Sequence, residues 1–461
     1  MKTIQTIMLA ALLIFVTACK KDDQDTPKQE PTIDISSYVA MGNSLTAGYA
    51  DGALYKSGQN YSYAKIISQQ MAQAGGNGIF KTPIINTEDG VYPSIEGSGL
   101  VLETKYVLSN TSMCDGSNKL LPVRAVENPD QGILMEELFK NISSEGPFNN
   151  LGVPGILVSH MLTPGMGSVN PYYGRFAENS STDKLLDEAQ KVNPTVFSLW
   201  VGNNDVLGYA SSGGLSSITS VELFKVSYQA VVSYLSSITE GGVIANIPDI
   251  SSAAFFTTIK YNEVVLENQQ EIDNLNAHYS DYNQYMEDEG KNYRINFKEG
   301  MNAMVIKDGT MDVNAEYQIR QMNEDELALL SIPYDSLLCG DWGTYKALGN
   351  NYILTTDEIA ETKSATETFN NLISQSASQY DLALVDFNSF MKDVAENGVS
   401  SNGVDFTTEF IYGNIFSLDG IHLTPQANAL VANKFIDALN EKYFTSIPMV
   451  DVSTFPSVDI P

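Results

Sequence analysis

The sequence predicts an α/β fold: a three-layer α/β/α sandwich around a central parallel sheet of about five strands. Two apolar runs, Thr195–Val201 and the start of Gly242–Asp249, have no polar face, as expected of strands covered on both sides. Ser220–Ile238, between them, has the length and spacing of a long helix. That alternation implies a parallel sheet with helices on both faces. The chain has 461 residues, 43% of them hydrophobic, enough for the core of one large domain or two ordinary ones.

Charge narrows the function classes. Lys and Arg number 26 against 56 Asp and Glu, a net charge of −30. Nucleic-acid partners require clustered positive charge, so they are excluded. Three cysteines are too few for a disulfide scaffold.

Taken in order, Met1–Ala18 reads as an export signal, with Lys2 as its basic start and the apolar stretch Ile7–Val16 as its core. Ten apolar residues are too short to span a bilayer. The closing Val16-Thr17-Ala18-Cys19 resembles the lipobox of bacterial lipoproteins, which implies an acylated Cys19, a membrane anchor, and placement at the bacterial outer membrane or cell surface. An ordinary signal peptide with a chance cysteine is the alternative. Residues 19–34 are polar and contain two prolines, and read as a flexible tether. Lys20 followed by Asp22-Asp23 resembles the surface-export signals of such lipoproteins, although a solvated linker reads the same way. A main domain is expected over 35–445.

Tyr38–Met41 is a short apolar strand that runs into Gly42-Asn43-Ser44, and Gly48 closes the turn. A serine at the carboxyl end of a strand lies where open α/β sheets place their ligands. Tyr61–Ala74 then has helical spacing up to Gly75-Gly76. Residues 75–147 show no long period and read as an elaborated loop. Phe148–Gly155 reads as a short strand ending in a proline-stiffened, glycine-terminated turn, where Gly155 lets a backbone N–H approach a ligand closely. His160 follows with no carboxylate at short spacing and reads as structural.

Thr195–Val201 ends in Gly202-Asn203-Asn204-Asp205, whose amides are placed to cap a helix or to donate into a site. The insertion 250–380 holds a polar helical stretch, Asn262–Glu289, with His278 at a solvated position, and a helix over Thr366–Gln379. A Cys114–Cys339 disulfide is open to an oxidising compartment. Ala383–Phe387 is expected as the last strand. Asp419 and His422 stand three apart in a tight turn, so a carboxylate can meet one imidazole nitrogen and leave the other free. Thr424-Pro425 starts the final helix with a capping hydroxyl and proline at its first position. Residues 446–461 read as a surface tail.

Ser44, Gly155, Asn204 and Asp419/His422 occur in the order of the four sequence blocks of the GDSL/SGNH hydrolase family, which this chain resembles. Asn43 departs from the aspartate of the family's namesake motif, at a position that is neither nucleophile nor base. The resemblance implies a flavodoxin-like sandwich and a serine ester hydrolase. Ser44 would be the nucleophile, His422 the base and Asp419 its partner. Ser44, Gly155 and Asn204 would form the oxyanion hole. It implies lipid-type or acetylated-glycan esters as substrates, and neither metal nor organic cofactor. A G-x-S-x-G elbow, as in α/β-hydrolases, is absent around Ser44. The alternative is a non-catalytic surface lipoprotein that uses this scaffold to bind glycan or protein.

Overall fold

Five parallel strands run side by side in the computed structural model, which describes residues 30–96 and 99–461. The expected signal 1–18, the acylation site Cys19 and the tether up to residue 29 lie outside the described residues. The strands are β1 (Tyr38–Gly42), β2 (Asn150–Gly152), β3 (Val196–Trp200), β4 (Gly241–Ala245) and β5 (Ala383–Val385), in the order β5–β4–β3–β1–β2. All their pairings are parallel. β1, β3 and β4 are buried along their whole length, which is why no polar face shows in their sequence. Gly42 stands opposite Trp200 on one side and Gly152 on the other. Three strand ends therefore finish level, and the loops leaving them meet at one edge.

Helices cover both faces. They are α1 (Ser44–Ala47), α2 (Tyr63–Gln73), α3 (Asn204–Ser211), α4 (Val221–Ile238), α5 (Thr356–Gln379), α6 (Phe387–Asn397) and α7 (Pro425–Tyr443). On one face α2 packs against α7, with the rings of Tyr63 and Phe435 stacked 4.9 Å apart. On the other, α4 packs against α5, and Phe224 stacks on Phe369 at 3.9 Å. These helices start where their caps place them. Ser62 accepts from Lys65 N, and Thr424 accepts from Ala427 N with Pro425 at the first helical position. No helix among the described residues is long and apolar enough to cross a membrane.

The two long inter-block segments are more ordered than the sequence indicates. Residues 75–147 contain two antiparallel hairpins, Tyr92–Glu96 with Gly99–Glu103 and Tyr106–Ser112 with Asn118–Arg124, followed by the helix Gln131–Phe139. The second hairpin is half-exposed on both faces, so it carries no clean alternation of apolar and polar residues. The insertion 250–380 has apolar clusters of its own, one around Leu275, Tyr279 and Met286, another around Met304, Ile306 and Leu348. Asn262–Glu289 is not one helix but a strand, Val264–Leu266, and two helices, Gln269–His278 and Ser280–Asp288. The helix expected from Thr366 begins ten residues earlier, at Thr356, because Thr355 and Glu358 form a capping box. A disulfide joins Cys114, in the turn of the second hairpin, to Cys339 after the short helix Tyr334–Leu338.

Both ends of the domain are docked. Ile33 is 9% exposed and Thr32 N donates to Tyr443 O, so the end of the segment expected as a flexible tether, 19–34, is fixed to the domain at these two residues. In the tail, Ile447 and Val452 are buried against α7, and Val450 N donates to Asn433 Oδ1.

Candidate active site

Ser44 opens the one-turn helix α1 directly after β1. Asn43 caps that turn by accepting from Leu45 N at 3.0 Å, and Gly48 closes it in the left-handed conformation at φ 80°. Gly42 has no room for a side chain, since a Cβ there would collide with the Trp200 carbonyl and the Thr46 side chain. Strand, serine and turn are thus fixed tightly against β3.

His422 arrives from the other end of the chain. Its Nε2 lies 2.8 Å from Ser44 Oγ and its Nδ1 lies 2.8 Å from Asp419 Oδ2. Asp419 also accepts from the backbone N–H of Ile421 at 2.9 Å, His422 at 2.8 Å and Gly52 at 2.8 Å, and from the Ser417 hydroxyl at 3.3 Å. Burial alone would raise this carboxyl, but the adjacent His422 and these hydrogen bonds outweigh it and hold the group well below the usual carboxylate range. With Asp419 ionised, His422 Nδ1 carries the proton and donates to it. Nε2 is then left to accept from the Ser44 hydroxyl. Chemically, the arrangement can withdraw a proton from Ser44 while Asp419 stabilises the resulting imidazolium. The Tyr49 ring packs on His422 at 4.5 Å between centroids and limits its rotation.

The Asp419 turn is clamped by residues that the sequence reading did not single out. Asp51 accepts from Leu418 N at 3.0 Å and from the Tyr55 hydroxyl at 2.6 Å, while Asp51 N donates to Ser417 Oγ at 2.9 Å. Asp51 sits at φ 52°, the left-handed region, which Asp tolerates better than most residues. Burial pushes its carboxyl up, the Tyr55 and Leu418 hydrogen bonds pull it down, and the nearby Asp419 charge adds to the rise. The available signal was the dipeptide Asp51-Gly52, an ordinary turn marker.

Asn204 begins α3, and its Nδ2 donates to Ile156 O at 2.9 Å. That bond joins it to the turn containing Gly155, which holds φ 76° and so needs a glycine. An asparagine Nδ2 has a second N–H, which this bond leaves for a ligand. The adjacent Asp205 accepts from Val158 N at 3.2 Å and ties the same two loops together. Burial raises its carboxyl to about 6.

The structure therefore brings Ser44, His422 and Asp419 into one hydrogen-bonded chain and links Asn204 to the Gly155 turn. Ser44, His422 and Asn204 line a common cavity. His160 lies apart, with Nδ1 accepting from Leu157 N at 3.4 Å. His278 packs among the rings of Tyr279 and Tyr345 in the insertion.

No family model and no curated protein sequence matches this chain. Among solved structures, it is similar to LAE5, an α/β hydrolase enzyme from the metagenome of Lake Arreo, Spain, at 9% identity and TM-score 0.33, over 89% of this chain and 98% of that one. It is also similar to the acetyl xylan esterase AlAXEase, at 13% identity and TM-score 0.32 over 87% and 98% of the two chains. An extracellular lipase from Streptomyces rimosus follows, at 11% identity and TM-score 0.30 over 88% and 98%. Likenesses of this strength do not bear on chemistry, which rests on the site itself.

Proposed function

We propose that the protein is a serine carboxylic-ester hydrolase of the GDSL/SGNH type that acts outside the cytoplasm. The observation that carries this reading is the unbroken chain Ser44 Oγ–His422 Nε2 and Nδ1–Asp419 Oδ2, 2.8 Å at each link. Three histidines occur in the whole sequence, and this one stands between a serine at a sheet edge and a carboxylate that, among the described residues, has no Lys or Arg within ion-pair distance.

In the mechanism, Ser44 Oγ attacks the ester carbonyl as its proton passes to His422 Nε2. The carbonyl oxygen takes the electron pair and is held by the Ser44 and Gly155 N–H groups with the free N–H of Asn204. Removing one such donor typically costs about 3 kcal/mol of transition-state stabilisation. When the tetrahedral centre collapses, the C–O bond to the alcohol breaks and His422 returns the proton to the departing oxygen. Water repeats the sequence on the acyl-enzyme, releasing the acid and restoring Ser44. The lipobox-like Val16–Cys19 supports an acylated Cys19 as the membrane anchor, with residues 20–30 as its tether.

Hydrolysis of nitrophenyl esters by the protein beside Ser44→Ala is the test. The expected result is turnover in the wild type, a fall of at least about 10³-fold in the variant, and fluorophosphonate labelling only where Ser44 is present. Neither turnover nor labelling in well-folded protein would instead favour a scaffold that binds glycan or protein.

A further inference from the structure

Beside Ser44 and His422 opens a cavity with about 70 Å³ of space for the centres of water-sized groups. It lies along the carboxyl edge of the sheet. Trp200 at the end of β3, Ile250 after β4 and Phe387 after β5 form its walls, with Met391 of α6 and Val431 of α7. All five are buried, none more than 8% exposed, and all are apolar.

The polar residues around it are mostly occupied with each other. The Asn43 side chain accepts from Leu45 N, Asp249 accepts from the N–H and hydroxyl of Ser251, and Ser252 donates to Asp249 O. Asn203 Oδ1 is buried without a hydrogen-bond partner among the described residues, and it belongs to the residue next to Asn204. A sugar placed here would exchange water on every hydroxyl for a few partners at one side, Asn203 Oδ1, Asn204 and Asp249, with apolar walls opposite. An acetyl group would leave the walls without contacts.

We infer that this cavity takes the acyl chain of the substrate, an unbranched aliphatic chain of medium length, while the alcohol lies outside it. The inference rests on the ester-hydrolase reading above. The acyl group is the part that remains on Ser44 while the alcohol leaves and water enters. A recess with apolar walls suits the fragment that stays, whereas the departing alcohol and the incoming water need a wet path to His422 Nε2. The small volume suits a chain of several carbons better than a long fatty tail, and hexanoyl, with its pentyl chain beyond the carbonyl, represents that length in the test.

Two isomeric esters, ethyl hexanoate and hexyl acetate, place the same atoms on opposite sides of the carbonyl and decide the question. Each buried methylene is worth about fourfold, so kcat/KM is expected to favour ethyl hexanoate by roughly 10²-fold. In the nitrophenyl series it should rise from acetate to a maximum near hexanoate and fall by dodecanoate. Val431→Phe, which narrows the recess, should lower the hexanoate-to-acetate ratio at least about tenfold. Equal or greater activity on hexyl acetate, a maximum at acetate, or an unchanged ratio in Val431→Phe would each overturn the inference. Those outcomes would leave Ser44-dependent turnover, and so the ester-hydrolase reading, intact. Loss of both turnover and fluorophosphonate labelling would remove the two together.

Discussion

Asp51 shows how far the site extends beyond the atoms that react. Its carboxylate and the Gly52 N–H reach the same short turn from opposite sides, one through Leu418 N and the other through Asp419 Oδ2. It touches no reacting atom and acts by fixing where Asp419 points. Asp51→Ala is expected to lower kcat by about 10–100-fold with KM nearly unchanged, the effect of misplacing a catalytic group by a fraction of an ångström to an ångström. Asp51→Asn, which can still accept from Leu418 N, should recover most of that loss. A lower melting temperature with kcat unaltered would mean that the clamp serves only the fold. This residue also marks the limit of what sequence reveals. Ser44, Asp419 and His422 stand out because each is a chemically capable residue in a turn after an apolar run. Asp51 is an aspartate before a glycine in a chain with 34 glycines, and its partner turn lies 367 residues away.

Among the secondary-structure elements, α3 and the loop preceding it are held by a carboxylate that does not favour its charge. Asp205 lies at the start of α3, is 2% exposed, and has one oxygen bonded to Val158 N, with the Thr219 side chain also favouring its charged form. Burial raises its carboxyl from 3.8 to about 6, so the folded state holds the proton more tightly than the open chain. Its stabilising contribution is fully present below pH about 4 and is lost as pH rises through about 6, a change of about 3 kcal/mol. Denaturant unfolding of Asp205→Asn beside wild type, at pH 5 and pH 8, is expected to show wild type losing ground at the higher pH. Parallel profiles would contradict this. The sheet strands are legible because burial on both faces leaves long apolar runs. The hairpin of 106–124 is not, since strands that are half-wet on both faces have neither a long apolar run nor a period of two. The break at Tyr279 was also invisible, as polar helix-forming residues continue on either side of it.

At the scale of the whole molecule, the Cys114–Cys339 bond is a covalent link between two distant insertions. It closes a loop between residues 225 apart and fastens the segment inserted after α2 to the segment inserted after β4. Cross-links over long loops act mainly on the unfolded chain, and removing one typically costs about 2–5 kcal/mol. Thermal melts of wild type with and without reductant, and of Cys114→Ser, should show the same downward shift. An unmoved midpoint would mean that the insertions hold together without it. Sequence identified both cysteines but not their proximity, because distance between two loops is set by the packing of everything between them.

Ser44 and His422 are 378 residues apart, and this separation governs when the protein can act. At about 5–20 residues per second, translation delivers the histidine roughly 20–80 s after the serine. Until then Ser44 lacks the imidazole that the proposed mechanism requires. A chain that stops short of His422 would carry Ser44 in an unreactive form on that reading. On the proposed mechanism, reactivity therefore begins only once His422 has been made and packed beside Ser44.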